Sequence, residues 1–344
     1  MPVADPGLAA VLESSIPFAL PLRRRFRGLD VREGMLIKGP QGWGEFAPFE
    51  DYSDEAASRW LDSAIEAAFG EWPAHRRESV PVNAIVPEVG SDDAAGLTRA
   101  AVLDTGCQTI KVKVGGRLAD DEARVASIRD VLDTVLGRGV GRIRVDANAA
   151  WDVSAATTAL RRLSAYGLEY VEQPCRSVEE MRELRRVVDV PLAVDELVRN
   201  SPNPERLSVR DIADVAIVKA APVGGAAAAL RVAESLDVPV VISGSLDSSV
   251  GLDAGLAAAA AMDELPYACG FGTGALLAAD LTELPRLPIG GMLVAGRTMP
   301  DLPALLAARD RLSDERAAHW RHRLAAAWLA GSAQRVGHVV LGGA

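Results

Sequence analysis

Lysine is nearly absent from this sequence. Of 37 basic residues only four are lysine, Lys38, Lys111, Lys113 and Lys219, and the rest are arginine. Surface charge and ion pairing are therefore written in guanidinium, which stays protonated under all ordinary conditions. A lysine kept against that usage points to a task arginine cannot perform, above all losing a proton near neutral pH once burial lowers its pKa. Cysteine is scarce as well. Its three copies, Cys107, Cys175 and Cys269, are odd in number and lack metal-binding spacing, which argues against a disulfide framework and leaves them as small buried hydrophobes. There is no basic excess: the net charge of −10 argues against a nucleic-acid or anionic-membrane binder. Long apolar runs are missing too, since the Ala-rich "AGLAAAAAMDEL" is too short to span a bilayer. The opening "MPVADPGLAAVLESS" carries acids and prolines where a leader would carry basic residues, so a cytoplasmic location is expected.

What is present is a rhythm. From Pro81 onward, short runs rich in branched residues ("VPVNAIV", "QTIKVKV", "RIRVDAN", "LEYVEQP", "PLAVDE", "DVAIVKA", "VPVVISG", "PYACGFG") alternate with helical segments such as "DDEARVASIRDVLDTVLG" and "VSAATTALRRLSAYG". This alternation predicts parallel βαβ units, and eight strand candidates favour a (β/α)8 barrel over an open sheet. No Gly-rich nucleotide fingerprint follows the first strand, so a Rossmann fold lacks its main support. Residues 1–80 differ in texture: an antiparallel meander, then a helix "SDEAASRWLDSAIEAAFG" with Ser53 as its N-cap. The expected organisation is an α+β capping domain over 1–80, a barrel over 81–285 and a C-terminal segment, 286–344, returning to the cap.

Catalytic groups of such barrels sit at the C-terminal ends of the strands. Reading those ends in order gives Lys111 and Lys113, then Arg144, Asp146 and Asn148, then Glu172, Asp195 with Glu196, Lys219, and the loop "SGSLDSS". Period-two geometry puts Lys111 and Lys113 on one strand face and Ile110, Val112 and Val114 on the other. The same alternation groups Arg144, Asp146 and Asn148 opposite Ile143, Val145 and Ala147. The apolar faces suit the outer helices, so the polar faces point into the barrel. Asp146, Glu172 and Asp195 on successive strands would repel one another unless a cation joined them, and oxygen donors without His or Cys favour Mg2+ over zinc. Taken singly, each acid reads as a solvated or helix-capping group, Lys113 as an ion-pair partner and Arg144 as a partner of Glu172 or another barrel acid. Asn148 and Gln173 read as structural hydrogen-bonding groups, and Glu196 as a residue orienting a metal ligand. Jointly, three acids and three of only four lysines at successive strand ends exceed what fold maintenance requires.

These residues resemble the enolase superfamily, in particular its muconate-lactonising-type branch. The matching pieces are "KVK" at Lys111–Lys113, "DANAAW" from Asp146, "EQP" from Glu172, "VDE" from Val194 and "VKAAPVGG" from Val218, in the family's order over nearly the whole chain. Within the branch, "RVDANAAW" and "ISGSLDSSVGL" look most like the succinylbenzoate-forming dehydratases of menaquinone biosynthesis. The resemblance implies a lyase that removes water in a syn sense from 2-succinyl-6-hydroxy-2,4-cyclohexadiene-1-carboxylate through an enediolate. Mg2+, with Mn2+ as a substitute, would sit on Asp146, Glu172 and Asp195. Lys113 would be the base, Lys111 would tune it, and Lys219 would face the substrate from the other side. The resemblance also implies that Ser243, Gly244 and Ser245 hold the succinyl tail beside Phe49 and Tyr52 of the cap. Its partner is a small carboxylate, and a monomer is favoured with an oligomer left open. The rivals are an N-succinylamino acid racemase or dipeptide epimerase, then a Schiff-base aldolase barrel using Lys113 or Lys219, and last a noncatalytic binding barrel.

Overall fold

The computed structural model describes residues 5–342. The chain starts with α1 (Pro6–Glu13), capped by the Asp5 carboxylate, which accepts from the amides of Gly7 and Leu8. A three-stranded antiparallel sheet follows, β1 (Ser15–Phe26), β2 (Leu29–Gly39) and β3 (Gly42–Phe46). Arg27 and Gly28 both have positive φ, 52° and 77°, which matches the right-handed twist of the two strands they join. Helix α2 (Asp54–Phe69) begins where expected: Ser53 Oγ accepts from the Ala56 amide, and Asp54 and Glu55 place negative charge on the first turn. It lies so close to β3 that a Cβ on Gly44 would stand 1.9 Å from the Ala64 carbonyl oxygen. Only glycine allows that approach.

The barrel then runs through β4 (Ser79–Val86), α3 (Ser91–Thr105), β5 (Thr109–Lys113), α4 (Leu118–Leu136), β6 (Arg142–Asp146), α5 (Val153–Leu163), β7 (Leu168–Glu172), α6 (Val178–Arg185) and β8 (Leu192–Val194). It continues through α7 (Glu196–Arg199), β9 (Val215–Lys219), α8 (Ala220–Val223), α9 (Ala226–Ser235), β10 (Val240–Ser243), α10 (Leu252–Ala261) and β11 (Cys269–Gly272). Strands β4 to β11 are parallel neighbours in chain order, and β11 pairs back onto β4, which closes the ring. The structure thus has the eight-stranded barrel and cap that the alternation predicted. All ten residues of α10 are buried, because its small side chains admit close neighbours on every side.

Alternation along the strands sorts the side chains as expected. Ile110, Val112, Ile143 and Val145 point outward and join the main core under the helices. The inward side is divided by height. Tyr170, Ala193, Val215, Ile217 and Val241 fill the lower barrel with an apolar plug, and the charged groups stand above it.

The C-terminal return is not direct. Residues Met292–Val294 form β12, which adds antiparallel to the outer edge of β4. After that α11 (Leu302–Asp310), α12 (Asp314–Ala327) and α13 (Ala333–Gly342) run back to the cap. Trp320 and Trp328 share one core with Met35, Ile37, Phe46 and Trp60, so the cap is built from both ends of the chain. No helix among the described residues is long and apolar enough to cross a membrane.

Candidate active site

Strand register assembles the site. Lys113, Asp146 and Glu172 are direct Cα partners across β5, β6 and β7, so their side chains enter the barrel at one level. One level lower, Lys111, Arg144 and Tyr170 are paired in the same way. Lys113 Nζ donates to Asp146 Oδ2 at 2.5 Å and to Asn148 Oδ1 at 2.6 Å. Lys111 Nζ bridges Asp146 Oδ2 at 2.9 Å and Glu172 Oε1 at 2.5 Å. Across the barrel, Lys219 Nζ meets Asp195 Oδ2 at 2.6 Å. Because β5 and β9 are four strands apart in a ring of eight, Lys113 and Lys219 face each other from opposite walls. The three lysines that break the arginine habit surround one point.

Burial and charge set their protonation. Burial first, and then the like charge of Lys111, hold the Lys113 pKa below the usual lysine range, against the pull of Asp146. Burial opposes charge on Lys111 as well, but Asp146 and Glu172 beside it more than reverse this, and its pKa is raised. The two adjacent lysines are thus shifted in opposite directions, Lys111 up and Lys113 down. Burial and the neighbouring Asp146 push the Glu172 carboxyl up to about 7. Asp146 and Asp195 are buried as deeply, yet Lys111 with Lys113 holds the first well below the carboxylate range, and Lys219 with Arg199 depresses the second.

The neighbours of these groups are fixed by backbone as much as by side chain. Asn148, Ala149 and Gln173 take positive φ just past β6 and β7, a conformation non-glycine residues rarely adopt and one that clusters at functional sites. Gln173 is structural, as expected: its Oε1 accepts from the amides of Asp195 at 2.9 Å and Leu197 at 3.3 Å, which fixes the start of α7. Glu196 Oε1 accepts from Asn148 Nδ2 at 3.2 Å and Arg199 at 2.7 Å, linking the Lys113 partner to the turn that carries Asp195.

The structure redraws the substrate-facing list. A cavity of about 30 Å3 is lined by Lys111, Lys113, Asp146, Asn148, Lys219, Ser243, Gly244 and Ser245, all named from the strand ends and the loop after strand seven. Arg144 is not among them. It lies fully buried below, donating to Glu169 Oε2 at 2.6 Å, Asn83 Oδ1 at 3.0 Å and the Ala268 carbonyl at 2.7 Å, and it stacks on Tyr170. Of the barrel acids open to it, its partner is Glu169 and not Glu172. Tyr52 also stands outside the cavity wall and meets the site only through Arg199, which donates to its hydroxyl. The cap reaches the cavity instead with Phe26 and Arg27 at the β1–β2 turn, and Lys113 Nζ stands 5.6 Å from the centre of the Phe26 ring. The cue was the "FRGL" turn, but nothing local shows that a hairpin tip will reach a barrel mouth. Asn83 and Thr273, from β4 and the segment after β11, line the cavity as well and carry no motif. Two of the three amides assigned to the tail are already committed: Gly244 N–H donates to the Gly270 carbonyl at 3.1 Å and Ser245 N–H to Asp247 Oδ2 at 2.6 Å.

Asp146, Glu172 and Asp195 offer only hard oxygen donors, all buried, on three adjacent strands. Burial, and then the Asp146 charge beside it, raise the Glu172 pKa, and Asp195 Oδ1 is buried without a hydrogen bond. That chemistry fits a small divalent cation. In this conformation the lysine ammoniums bridge the carboxylates, and no three acid, His or Cys groups among the described residues close on a common point.

Residues 18–68 match the family model described as enolase N-terminal domain-like, and residues 93–303 the one described as enolase C-terminal domain-like. An o-succinylbenzoate synthase of Thermobifida fusca is 48% identical over 313 residues, spanning 90% of this chain and 94% of that protein. One from Mycobacterium leprae is 48% identical over 307 residues, 88% of each. Among solved structures, the N-succinyl Arg/Lys racemase of Bacillus cereus superposes with a TM-score of 0.70 over 86% of this chain and 96% of that one. At 16% identity it speaks for the fold alone.

Proposed function

The chain belongs to the enolase superfamily and, within it, to the o-succinylbenzoate synthases, and on that premise we propose that it is a divalent-metal-dependent dehydratase. The reaction assigned is syn loss of water from 2-succinyl-6-hydroxy-2,4-cyclohexadiene-1-carboxylate to give 2-succinylbenzoate, a step of menaquinone biosynthesis. The observation that carries this reading is the placement of Lys113 on the cavity wall, held by Asp146 and Asn148, with Lys111 beside it and Lys219 on the opposite wall. Mg2+ held by Asp146, Glu172 and Asp195 would neutralise the ring carboxylate and the charge that builds on it when the α-proton leaves.

Neutral Lys113 takes that proton from the substrate carbon. The carbon–oxygen bond then breaks on the same face, and the newly protonated Lys113 returns its proton to the departing hydroxide, so that water leaves and the ring becomes aromatic. Asn148 and Asp146 hold Nζ in place between the two transfers. Lys219 stands on the opposite wall, anchored by Asp195, where its charge lies over the developing π system. Phe26 and Arg27 bound the cavity on the cap side, with the Phe26 ring beside Lys113.

The test is direct assay of the aromatic product from purified protein with Mg2+; its absence refutes the assignment. Two facing lysines also suit a racemase, in which Lys219 would be the second acid/base. Deuterium exchange into N-succinylamino acids separates the two activities: exchange without dehydration would favour the racemase.

Glu172 supplies a second expectation. Its folded pKa of about 7 lies above the unfolded carboxyl value, so the stability it contributes is complete below about 4.3 and is lost as pH rises through 7. A metal ligand must be ionised, so cation binding has to displace that proton below about 7. The increase in melting temperature produced by Mg2+ should therefore be larger at pH 8 than at pH 5. Glu172→Gln should flatten the difference, and equal shifts at the two pH values would count against Glu172 as a ligand.

A further inference from the structure

The cavity has two unlike walls. Strands β5 to β9 supply its lysines and acids, whereas β4, β10, β11 and the segments that follow supply only neutral groups, among them Asn83, Ser243, Ser245 and Thr273. Most of the neutral wall's hydrogen-bonding capacity is already used. Ser243 Oγ donates to the Gly270 carbonyl at 3.1 Å, Gly244 N–H to the same carbonyl at 3.1 Å, and Ser245 N–H to Asp247. Asn83 is spent on Arg144 and the Ala84 carbonyl. Two hydroxyls stand apart, since Ser245 spends only its amide, and of the two the one on Thr273 is also shielded from solvent. Thr273 is 8% exposed, lines the cavity, and its Oγ1 is buried with no hydrogen-bond partner. A buried hydroxyl left unpaired is destabilising, and on a cavity wall a ligand can complete it.

We infer that Thr273 is a substrate-contacting residue whose hydroxyl donates to the keto oxygen of the succinyl tail. This rests on the dehydratase assignment above. The ring carboxylate is drawn to the charged wall, which turns the ortho substituent toward the neutral one. A neutral donor on the wall that supplies no charged lining residue suits a ketone, whereas the terminal carboxylate has Arg27 on the cap side of the same cavity.

The experiment compares two inhibitors, 2-succinylbenzoate and 2-(3-carboxypropyl)benzoate, which differ only in the keto oxygen. The wild-type enzyme should bind the keto compound about 10-fold more tightly, the scale of one neutral hydrogen bond. Thr273→Val should bind both equally, with an unchanged or slightly raised melting temperature, and Thr273→Ser should restore the preference. A preference that survives in Thr273→Val overturns the contact, as does a fall in melting temperature, which would reveal a structural partner for the hydroxyl. Wild-type protein that binds neither compound and forms no aromatic product overturns the reaction assignment and this contact together. Active wild-type enzyme without the preference overturns the contact alone.

Discussion

Lys113→Ala should lower the dehydration rate by about 10³-fold or more while the protein stays folded and binds Mg2+ normally, because a positioned general base contributes about 10²–10⁴-fold and this one serves in both proton transfers. Asp146 would lose one of two ammonium partners but keep Lys111 at 2.9 Å, so its charge remains compensated. Lys113→Arg should be nearly as inactive although it preserves charge, since a guanidinium cannot release a proton near neutral pH. The pair of variants separates charge from basicity, and alanine alone would not. In the wild type, kcat/KM should fall toward acid as Lys113 becomes protonated, with the break below the ordinary lysine range because burial and Lys111 depress it. Turnover measured at saturating Mg2+, with calorimetric metal titration of each variant, checks the expectation; normal dehydration by either variant would sink the base assignment.

Lys113 was legible in the sequence for a reason that reaches beyond this residue. Strand periodicity is local, so Lys111 and Lys113 declare a shared face without help from the rest of the chain, and the scarcity of lysine marks that face as unusual. The carboxylates were legible on the same terms, one per strand end in chain order, because a barrel turns sequence order into spatial order. Helix α2 was legible from Ser53 and the acids after it. What failed was what crosses between units. Arg144 shares the inward face of Asp146, and alternation cannot tell the level of a side chain within the barrel; Glu169, Asn83 and Ala268 draw it below the cavity. Tyr52 lies near the mouth in space, but Arg199 stands between. Phe26 and Arg27 reach Lys113 only because the cap docks as it does, and no motif encodes docking. The amides at Gly244 and Ser245 looked free in a polar loop, yet Gly270 and Asp247 had taken them.

Asp195→Asn should be costly on two separable counts. Asp195 is fully buried, and Lys219 Nζ lies 2.6 Å from Oδ2 with Arg199 Nε 3.4 Å from Oδ1. Asparagine keeps the shape but leaves the Lys219 ammonium in the barrel without its paired carboxylate, while Arg199 keeps Glu196 at 2.7 Å, and breaking a buried pair this way costs about 3–5 kcal/mol. The depressed Asp195 pKa gives the sign: its stabilisation is present above the unfolded aspartate value and is lost as pH falls through the lower folded value. The deficit in urea unfolding should therefore be full at pH 7 and still full at pH 5. The second count is metal affinity, because a neutral amide replaces one of three anionic donors; Mg2+ affinity should fall by about 10²-fold, the upper range for a perturbed metal shell. The two are told apart by Lys219→Met made alongside Asp195→Asn, which removes the stranded cation and should recover part of the stability without restoring the metal. A destabilised Asp195→Asn with an unchanged Mg2+ requirement would leave Asp195 as the counter-ion of Lys219 and Arg199 and remove it from the metal set.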